Sequence, residues 1–319
     1  MLNKKREIPI FYSINDAYVP YLSVSIESIS EHASEENEYS IIVLYQNLTV
    51  DNRAKLAKMS QSNVKVSLVS MDDNLSQLMG NEHTKLRGDY FTYTIYFRLF
   101  IAEMFPKLNK GIYLDADTVV NCDIAEFYEL DLAGNLLAAA PDTFAADNTE
   151  SVEYVEKALG IPIRQYFNSG VLLMDLERFR EVKFADRFLN FLNTYQLDVL
   201  AADQDYLNLM TLGKVLILGR TWNTTPTTQK VNDINPHIVH YCLFYKPWHY
   251  RDVQNRSYFW KYAQKSTYYE LLQSELADYS KEDRENDLNN LHFLLNKALE
   301  VVAKGETKSR IEASQDMIQ

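Results

Sequence analysis

The chain has 319 residues, and 32 lysines and arginines against 44 aspartates and glutamates give a formal net charge of -12. That length holds a full hydrophobic core, and that charge argues against a surface that coats nucleic acid or anionic lipid through its overall field. Two cysteines, Cys122 and Cys242, and an N-terminus without a signal-length apolar stretch argue against a disulfide framework, a C-x-x-C metal site and secretion. The expectation is a cytoplasmic protein without a membrane span, with peripheral membrane contact left open.

In chain order, Ile8–Ser13 reads as a short apolar strand broken by the turn formers Ile14-Asn15-Asp16-Ala17, where a nucleotide pocket would open. Tyr18–His32 follows as a helix with Pro20 in its first turn. Strand Tyr39–Tyr45, helix Val50–Met59 capped by Thr49, and strand Val64–Val69 continue the alternation. Such alternation predicts a mostly parallel sheet with helices on both faces. Between Met71 and Tyr90 the apolar period weakens, which predicts a loop-rich lid. Thr92–Met104 reads as a helix in which Arg98 is nearly surrounded by apolar neighbours. A buried arginine needs an anion: a core acid on the structural reading, Asp117 or a diphosphate on the functional one.

The run Lys110-Gly111-Ile112-Tyr113-Leu114 reads as a buried strand that ends in Asp115-Ala116-Asp117. On a continuing strand the two carboxylates point the same way, and a turn at Ala116 still lets them converge. A solvated strand end explains a bare D-x-D; a divalent cation carrying a phosphate is the chemical alternative. Further on, Ile124–Tyr128 reads as one helical turn, Leu136–Ala140 as a strand, Asp142–Glu150 as polar and open, and Val152–Leu159 as a helix. Phe167-Asn168-Ser169-Gly170 precedes an aliphatic strand. Gly170 permits close backbone approach and Asn168 offers both donor and acceptor, although Asn-Ser-Gly is also an ordinary turn.

Helix Glu177–Tyr195 leads to Asp203-Gln204-Asp205 at the start of another helix, where N-capping accounts for Asp203 but not for Asp205. On strand His237–Cys242, His240 alone reads as a core residue. With Lys246 following, the pair suits a metal and a phosphate. From Tyr268 to Gln319 the chain is helical and highly charged, with disorder expected over Ser309–Gln319. The expected division is a catalytic domain over 1–265 and a helical appendage over 266–319 that serves acceptor recruitment or oligomerisation.

With these pieces in order, the chain from about Ile8 to Trp260 resembles the retaining glycosyltransferases of family 8, a group containing bacterial lipooligosaccharide galactosyltransferases and glycogenin. The resemblance rests on Tyr96-Phe97-Arg98-Leu99, Tyr113-Leu114-Asp115-Ala116-Asp117, Phe167-Asn168-Ser169-Gly170-Val171-Leu172, Asp203-Gln204-Asp205, and His240-Tyr241-Cys242 followed by Lys246-Pro247-Trp248. It implies a GT-A fold, a Rossmann-like α/β class with a mostly parallel sheet. It also implies a UDP-sugar donor, a carbohydrate, glycolipid or glycoprotein acceptor, and Mn2+ (or Mg2+) held by Asp115, Asp117 and His240. Lys246 would meet the diphosphate. Arg98, Asn168, Ser169, Asp203 and Gln204 would surround the donor sugar, with Asn15, Asp16 and Ala116 also on the donor. Asp203, Gln204 and Asp205 are the catalytic candidates. The family commonly has an acid and then an asparagine near the uracil, where this chain has Asn15, Asp16 and Ala17, and a glycine where this chain has Leu243.

The residues' own chemistry agrees with that assignment. A Lewis-acidic ion with Lys246 stabilises charge developing on a diphosphate, and an acid of the Asp203-Gln204-Asp205 segment steadies an oxocarbenium-like centre. Two other classes compete. Leu114-Asp115-Ala116-Asp117-Thr118-Val119 also looks like the strand end of haloacid-dehalogenase-like phosphatases, where the first aspartate is a nucleophile, and a non-catalytic nucleotide-sugar-binding protein would keep the same pocket.

Overall fold

The computed structural model describes residues 5–71, 93–226 and 235–314. Apart from Met71, the lid expected over Met71–Tyr90 lies outside the described residues. The strands are β1 (Arg6–Ile14), β2 (Asn37–Tyr45), β3 (Val64–Ser70), β4 (Lys110–Leu114), β5 (Thr118–Val120), β6 (Leu137–Pro141), β7 (Phe167–Asp175), β8 (Val215–Ile217) and β9 (Ile238–His240). Seven of them form one sheet in the order β3-β2-β1-β4-β7-β6-β8, and β5 pairs with β9 in a second. Neighbours in the large sheet are parallel except at β7, which runs against β4 and β6.

The register explains why the central runs are continuously apolar. Ile10, Ile112 and Leu173 align across β1, β4 and β7, and so do Phe11, Tyr113 and Leu172. Side chains alternate, so one row enters the layer with the Val19–His32 helix and the other enters the opposite layer. Each such aliphatic or aromatic side chain contributes roughly 1.5–3 kcal/mol by leaving water. The reversal at β7 sets the amino end of that strand against the carboxyl end of β4, where the Asp115 N–H donates to the Gly170 carbonyl at 2.8 Å. The chain then turns at Ala116-Asp117 and enters β5, whose Thr118 lies opposite His240 of β9. A turn rather than a continuing strand therefore brings the two aspartates together.

Several helices differ from expectation. Tyr93–Phe100 is a 3-10 helix, and only Ile101–Met104 is α-helical. The segment is buried on several sides, and its three-residue period aligns Ile95 with Arg98, whose Nε donates to the Ile95 carbonyl at 3.1 Å. The helix expected over Glu177–Tyr195 is two, Leu176–Glu181 and Phe184–Tyr195, separated at Lys183 with φ of 51°. That break lets Phe179 and Phe184 both enter the core with ring centroids 4.7 Å apart. The helix expected over Val152–Leu159 begins at Thr149 and ends in a π-helical turn, Tyr154–Ala158. Nor is Asp142–Glu150 open: Asp142 is buried and caps the Thr143–Asp147 helix by accepting from the Ala145 N–H.

Helices Tyr269–Asp278, Lys281–Lys304 and Glu306–Ala313 follow Tyr268. Ser309–Ala313 is helical rather than disordered, because Arg310 donates to the Gln196 carbonyl at 2.6 Å and ties the helix down; residues 315–319 of that expectation lie outside the described residues. Ala298 and Val301 are buried in the same core as Phe188 and Tyr206. Among the described residues no helix is long and apolar enough to cross a membrane.

Candidate active site

The site is assembled where β4 ends, β7 begins, β9 ends and the Ala202–Met210 helix starts. Asp115 follows Tyr113 on the same face of the β4 line; its Oδ1 accepts from the Tyr113 hydroxyl and from Arg98 Nη2, both at 2.9 Å. Its Oδ2 is turned to His240 Nε2 at 3.6 Å. Asp117 is arranged likewise: Oδ2 pairs with Lys246 Nζ at 2.5 Å and Oδ1 faces His240 Nε2 at 3.2 Å. Each aspartate thus gives one oxygen to a protein cation and turns the other toward the same imidazole nitrogen. Ligand atoms of Asp115, Asp117 and His240 lie within 4.8 Å of one another. Burial works against the Asp117 carboxylate, but Lys246 and His240 outweigh it and hold its pKa well below the usual range.

Gly170 makes this convergence possible. A Cβ there would lie 2.2 Å from His240 Cε1 and 2.5 Å from Asp115 Oδ2, so only glycine lets β7 pass behind both side chains. The two inward carboxylate oxygens and the imidazole nitrogen form a donor set that fits a divalent cation.

Arg98 joins this corner to the sugar side. Its Nη1 donates to the Ser169 carbonyl at 2.7 Å and to Ser169 Oγ at 3.1 Å, its Nε lies 3.1 Å from Asp203 Oδ2, and its guanidinium stacks 4.3 Å from the Tyr113 ring. Burial opposes its charge, but Asp115 and Asp203 outweigh burial and raise its pKa. Its carboxylate partners are therefore Asp115 and Asp203 rather than Asp117.

Asp203 does not cap the Ala202–Met210 helix, whose N-cap is Ala201. Asp205 reaches back instead: its Oδ2 accepts from the N–H groups of Leu200 and Ala201 at 3.0 and 2.9 Å and from the Tyr154 hydroxyl at 2.8 Å, while Oδ1 accepts from the Tyr166 hydroxyl at 2.6 Å. Burial pushes the Asp205 carboxyl up to about 6 against these four donors. Asp203 accepts from Ser169 Oγ at 3.1 Å; burial raises its pKa, with Arg98 pulling the other way. Gln204 accepts from the Ser169 N–H at 3.0 Å and donates to Asp142 Oδ2 at 2.8 Å and to the Tyr166 hydroxyl at 3.0 Å.

On the other side of β1, Asp16 Oδ1 accepts from the Thr49 N–H and hydroxyl at 2.8 and 3.0 Å, and Asn15 Oδ1 is buried without a hydrogen-bond partner among the described residues. Ala116 is buried in the turn between the aspartates. Leu243 has φ of 56°, the left-handed region that favours glycine, and it stands 42% exposed on the rim. A pocket of about 400 Å3 opens among Tyr18, Asp115, Asp142, Asp203, Leu243 and Leu294, a volume suited to a small organic ligand.

Sequence reasoning passed over Asp142, Asn223, Tyr154 and Tyr166. Asp142 carried a usable signal, since it ends the apolar run Leu137-Ala138-Ala139-Ala140-Pro141 as Asp115 ends its own. Asn223 and Tyr154 sit in segments without a motif, and Tyr166 directly precedes the Phe167-Asn168-Ser169-Gly170 run without a polar pattern of its own.

Residues 9–252 match the family described as Glycosyl transferase family 8. A lipopolysaccharide 1,2-glucosyltransferase of Escherichia coli strain K12 is 27% identical over 263 residues, 78% of this chain and 75% of that protein. The galactosyltransferase LgtC, solved with donor and acceptor sugar analogs, superposes with a TM-score of 0.66 at 26% identity, over 82% of this chain and 96% of its own. The bifunctional glycosyltransferase WbbM shares the fold with a TM-score of 0.71 at 23% identity; this chain's match, 87% of its own length, spans about half (53%) of that protein. The fold is the GT-A arrangement of these glycosyltransferases. A phosphatase with Asp115 as nucleophile is excluded by this match and fits poorly with an Asp115 whose Oδ1 is held by Arg98 and Tyr113. The chain is a member of glycosyltransferase family 8, a sugar transferase.

Proposed function

We propose that the protein transfers a hexose of the glucose or galactose type from a UDP-sugar to a glycan, glycolipid or glycoprotein acceptor, with retention of configuration and in dependence on Mn2+, or Mg2+ in its place. The observation that carries this reading is the convergence of Asp115 Oδ2, Asp117 Oδ1 and His240 Nε2 beside Lys246 and Arg98. Mixed oxygen and nitrogen donors suit Mn2+ better than Mg2+. The glucosyltransferase and galactosyltransferase relatives support a hexose and a saccharide-bearing acceptor.

When bound, the ion supplies Lewis-acid stabilisation to the leaving diphosphate. Lys246 adds a fixed positive charge there, and Arg98 aligns Asp115 with Ser169 and Asp203. Asp203, Gln204, Asn168 and Ser169 grip the sugar, with the Asp203 carboxylate facing its developing positive charge. Asp205 acts through position: with both oxygens occupied it orients the helix start and, through Tyr166, the Gln204 amide. Asn15 and Asp16 contact the nucleotide base. The catalytic domain covers residues 1–265, and the appendage over 266–319 recruits the acceptor or a second copy. A cytoplasmic site of action, with peripheral contact at an acceptor-bearing membrane, goes with this reading.

The test is UDP release from UDP-glucose, UDP-galactose and their N-acetyl relatives. Release with Mn2+ and none in EDTA is the expected result. Binding of UDP-sugar without release, with any acceptor supplied, would favour the non-catalytic alternative.

A further inference from the structure

We infer that Asn223 is a positioning residue that sets the tautomer of His240 and so selects the nitrogen presented to the cation, an inference that rests on the metal-dependent reading above. The Gly170 N–H donates to Asn168 Oδ1 at 3.0 Å, so that atom must be the acceptor end of the Asn168 amide. Asn223 approaches the same oxygen at 2.9 Å and must therefore present its Nδ2 donor. The other end of Asn223 is then Oδ1, an acceptor, and it lies 3.1 Å from His240 Nδ1. An acceptor facing Nδ1 requires the hydrogen on that nitrogen. Nε2, which faces Asp115 and Asp117, is left as the available ligand atom.

The local structure holds this arrangement firmly. Asn223 is 1% exposed, and its neighbour Thr224 is fixed to β9 by two backbone bonds, Thr224 N–H to the Ile238 carbonyl at 2.8 Å and His240 N–H to the Thr224 carbonyl at 2.9 Å. The relay also runs onward, since Asn168 Nδ2 donates to Asp142 Oδ2 at 3.4 Å, the oxygen that accepts from Gln204. Through Asn223 the orientation of a metal ligand is thereby tied to groups on the sugar side.

Two measurements test this. Titration with Mn2+ alone, with free ion read by electron paramagnetic resonance, compares the unmutated protein with Asn223→Leu, which keeps the volume and removes the acceptor. Loss of about 10- to 100-fold in Mn2+ affinity by the folded variant is expected; equal affinity would overturn the inference. Long-range proton–nitrogen correlation on the unmutated, metal-free protein at about pH 8 reads the ring directly and needs no variant. A hydrogen on His240 Nδ1 is expected, whether or not Nε2 also carries one in the absence of the ion, and an Nδ1 without a hydrogen would overturn the inference. If the unmutated protein takes up no Mn2+, the metal reading fails while the ring spectrum still decides the role of Asn223.

Discussion

The chain carries two D-x-D segments in its site, and the same spacing does opposite things in them. Asp115 and Asp117 lie at the end of a strand and in the turn after it, where each keeps one oxygen turned to a shared centre. Asp203 and Asp205 lie in the first turn of a helix, where a separation of two residues sends side chains to different faces. Asp203 stays on the pocket with Arg98, while Asp205 turns inward and is saturated by two hydroxyls and two backbone N–H groups. Residue type and spacing alone do not distinguish a pair that converges on one centre from a pair that diverges. The backbone beneath them does.

The largest expected effect tests the strand-end pair. Asp117→Asn leaves Lys246 buried with its charge uncompensated and should cost about 3–5 kcal/mol of stability besides removing metal-dependent UDP release. Urea unfolding measures the first, and adding Lys246→Met should recover most of that stability but none of the activity. If Asp117→Asn is as stable as the unmutated protein, the ion pair has no such weight.

The helical pair should show its difference in pH dependence. Because the folded Asp205 carboxyl titrates near 6 against an ordinary 3.8, its contribution is fully present below pH 3.8 and lost as pH rises through about 6. The shift corresponds to about 3 kcal/mol. Plotted against pH, the unfolding free energies of the protein and of Asp205→Asn should diverge by that much in total across this window. Asp117, with a depressed pKa, has the opposite sign: its contribution is present above the ordinary carboxylate range and lost on acidification. Parallel curves for the protein and Asp205→Asn would remove the distinction between the two segments.

Gly170→Ala probes only the strand-end pair. The added methyl displaces His240 or Asp115 by an appreciable fraction of an ångström, and about a 100-fold loss of turnover is expected with the fold intact by circular dichroism. Full turnover would mean that these side chains need no such alignment. The smallest effect lies on the rim: Leu243→Gly releases a left-handed strain of about 1 kcal/mol, partly offset by the greater freedom of glycine in the unfolded chain, and should raise the melting temperature slightly. A lower melting temperature would mean that the Leu243 side chain stabilises the loop by more than its backbone costs.

The alternation of β1 to β4 with helices was legible because apolar runs and turn formers are local signals, and Thr49 caps its helix as its type suggests. Asp115, Asp117, His240 and Lys246 were legible as chemistry, but their geometry was not. Nothing near His240 shows that β9 pairs with β5, which is a contact across more than a hundred residues. The sequence makes Asp205 a catalytic candidate but does not show that its oxygens are occupied, because the hydroxyls come from Tyr154 and Tyr166, which carry no polar pattern in the sequence. Helix interruptions were missed where packing overrode period, as at Lys183, where bringing two phenylalanines into the core outweighs continuing the helix. The wall supplied by Leu294 was hidden for a similar reason, since its helix reads as a charged, solvated one.

The ion pair between Lys246 and Asp117 spans 129 residues of chain, and this has a kinetic consequence. Contacts of such separation carry a large loop-closure entropy and form after the local ones. A partly folded chain therefore exposes two adjacent aspartates with neither their lysine nor their histidine in place, and it has no formed site for an ion. On the metal-dependent reading proposed above, ligation would engage only the complete fold, so an ion with its nucleotide would act as a thermodynamic check on sheet closure, deepening the native basin by mass action without aiding its precursors. Damage that loosens β7 or β9 far from the pocket should then appear first as weakened ligand binding, before any loss of helical signal.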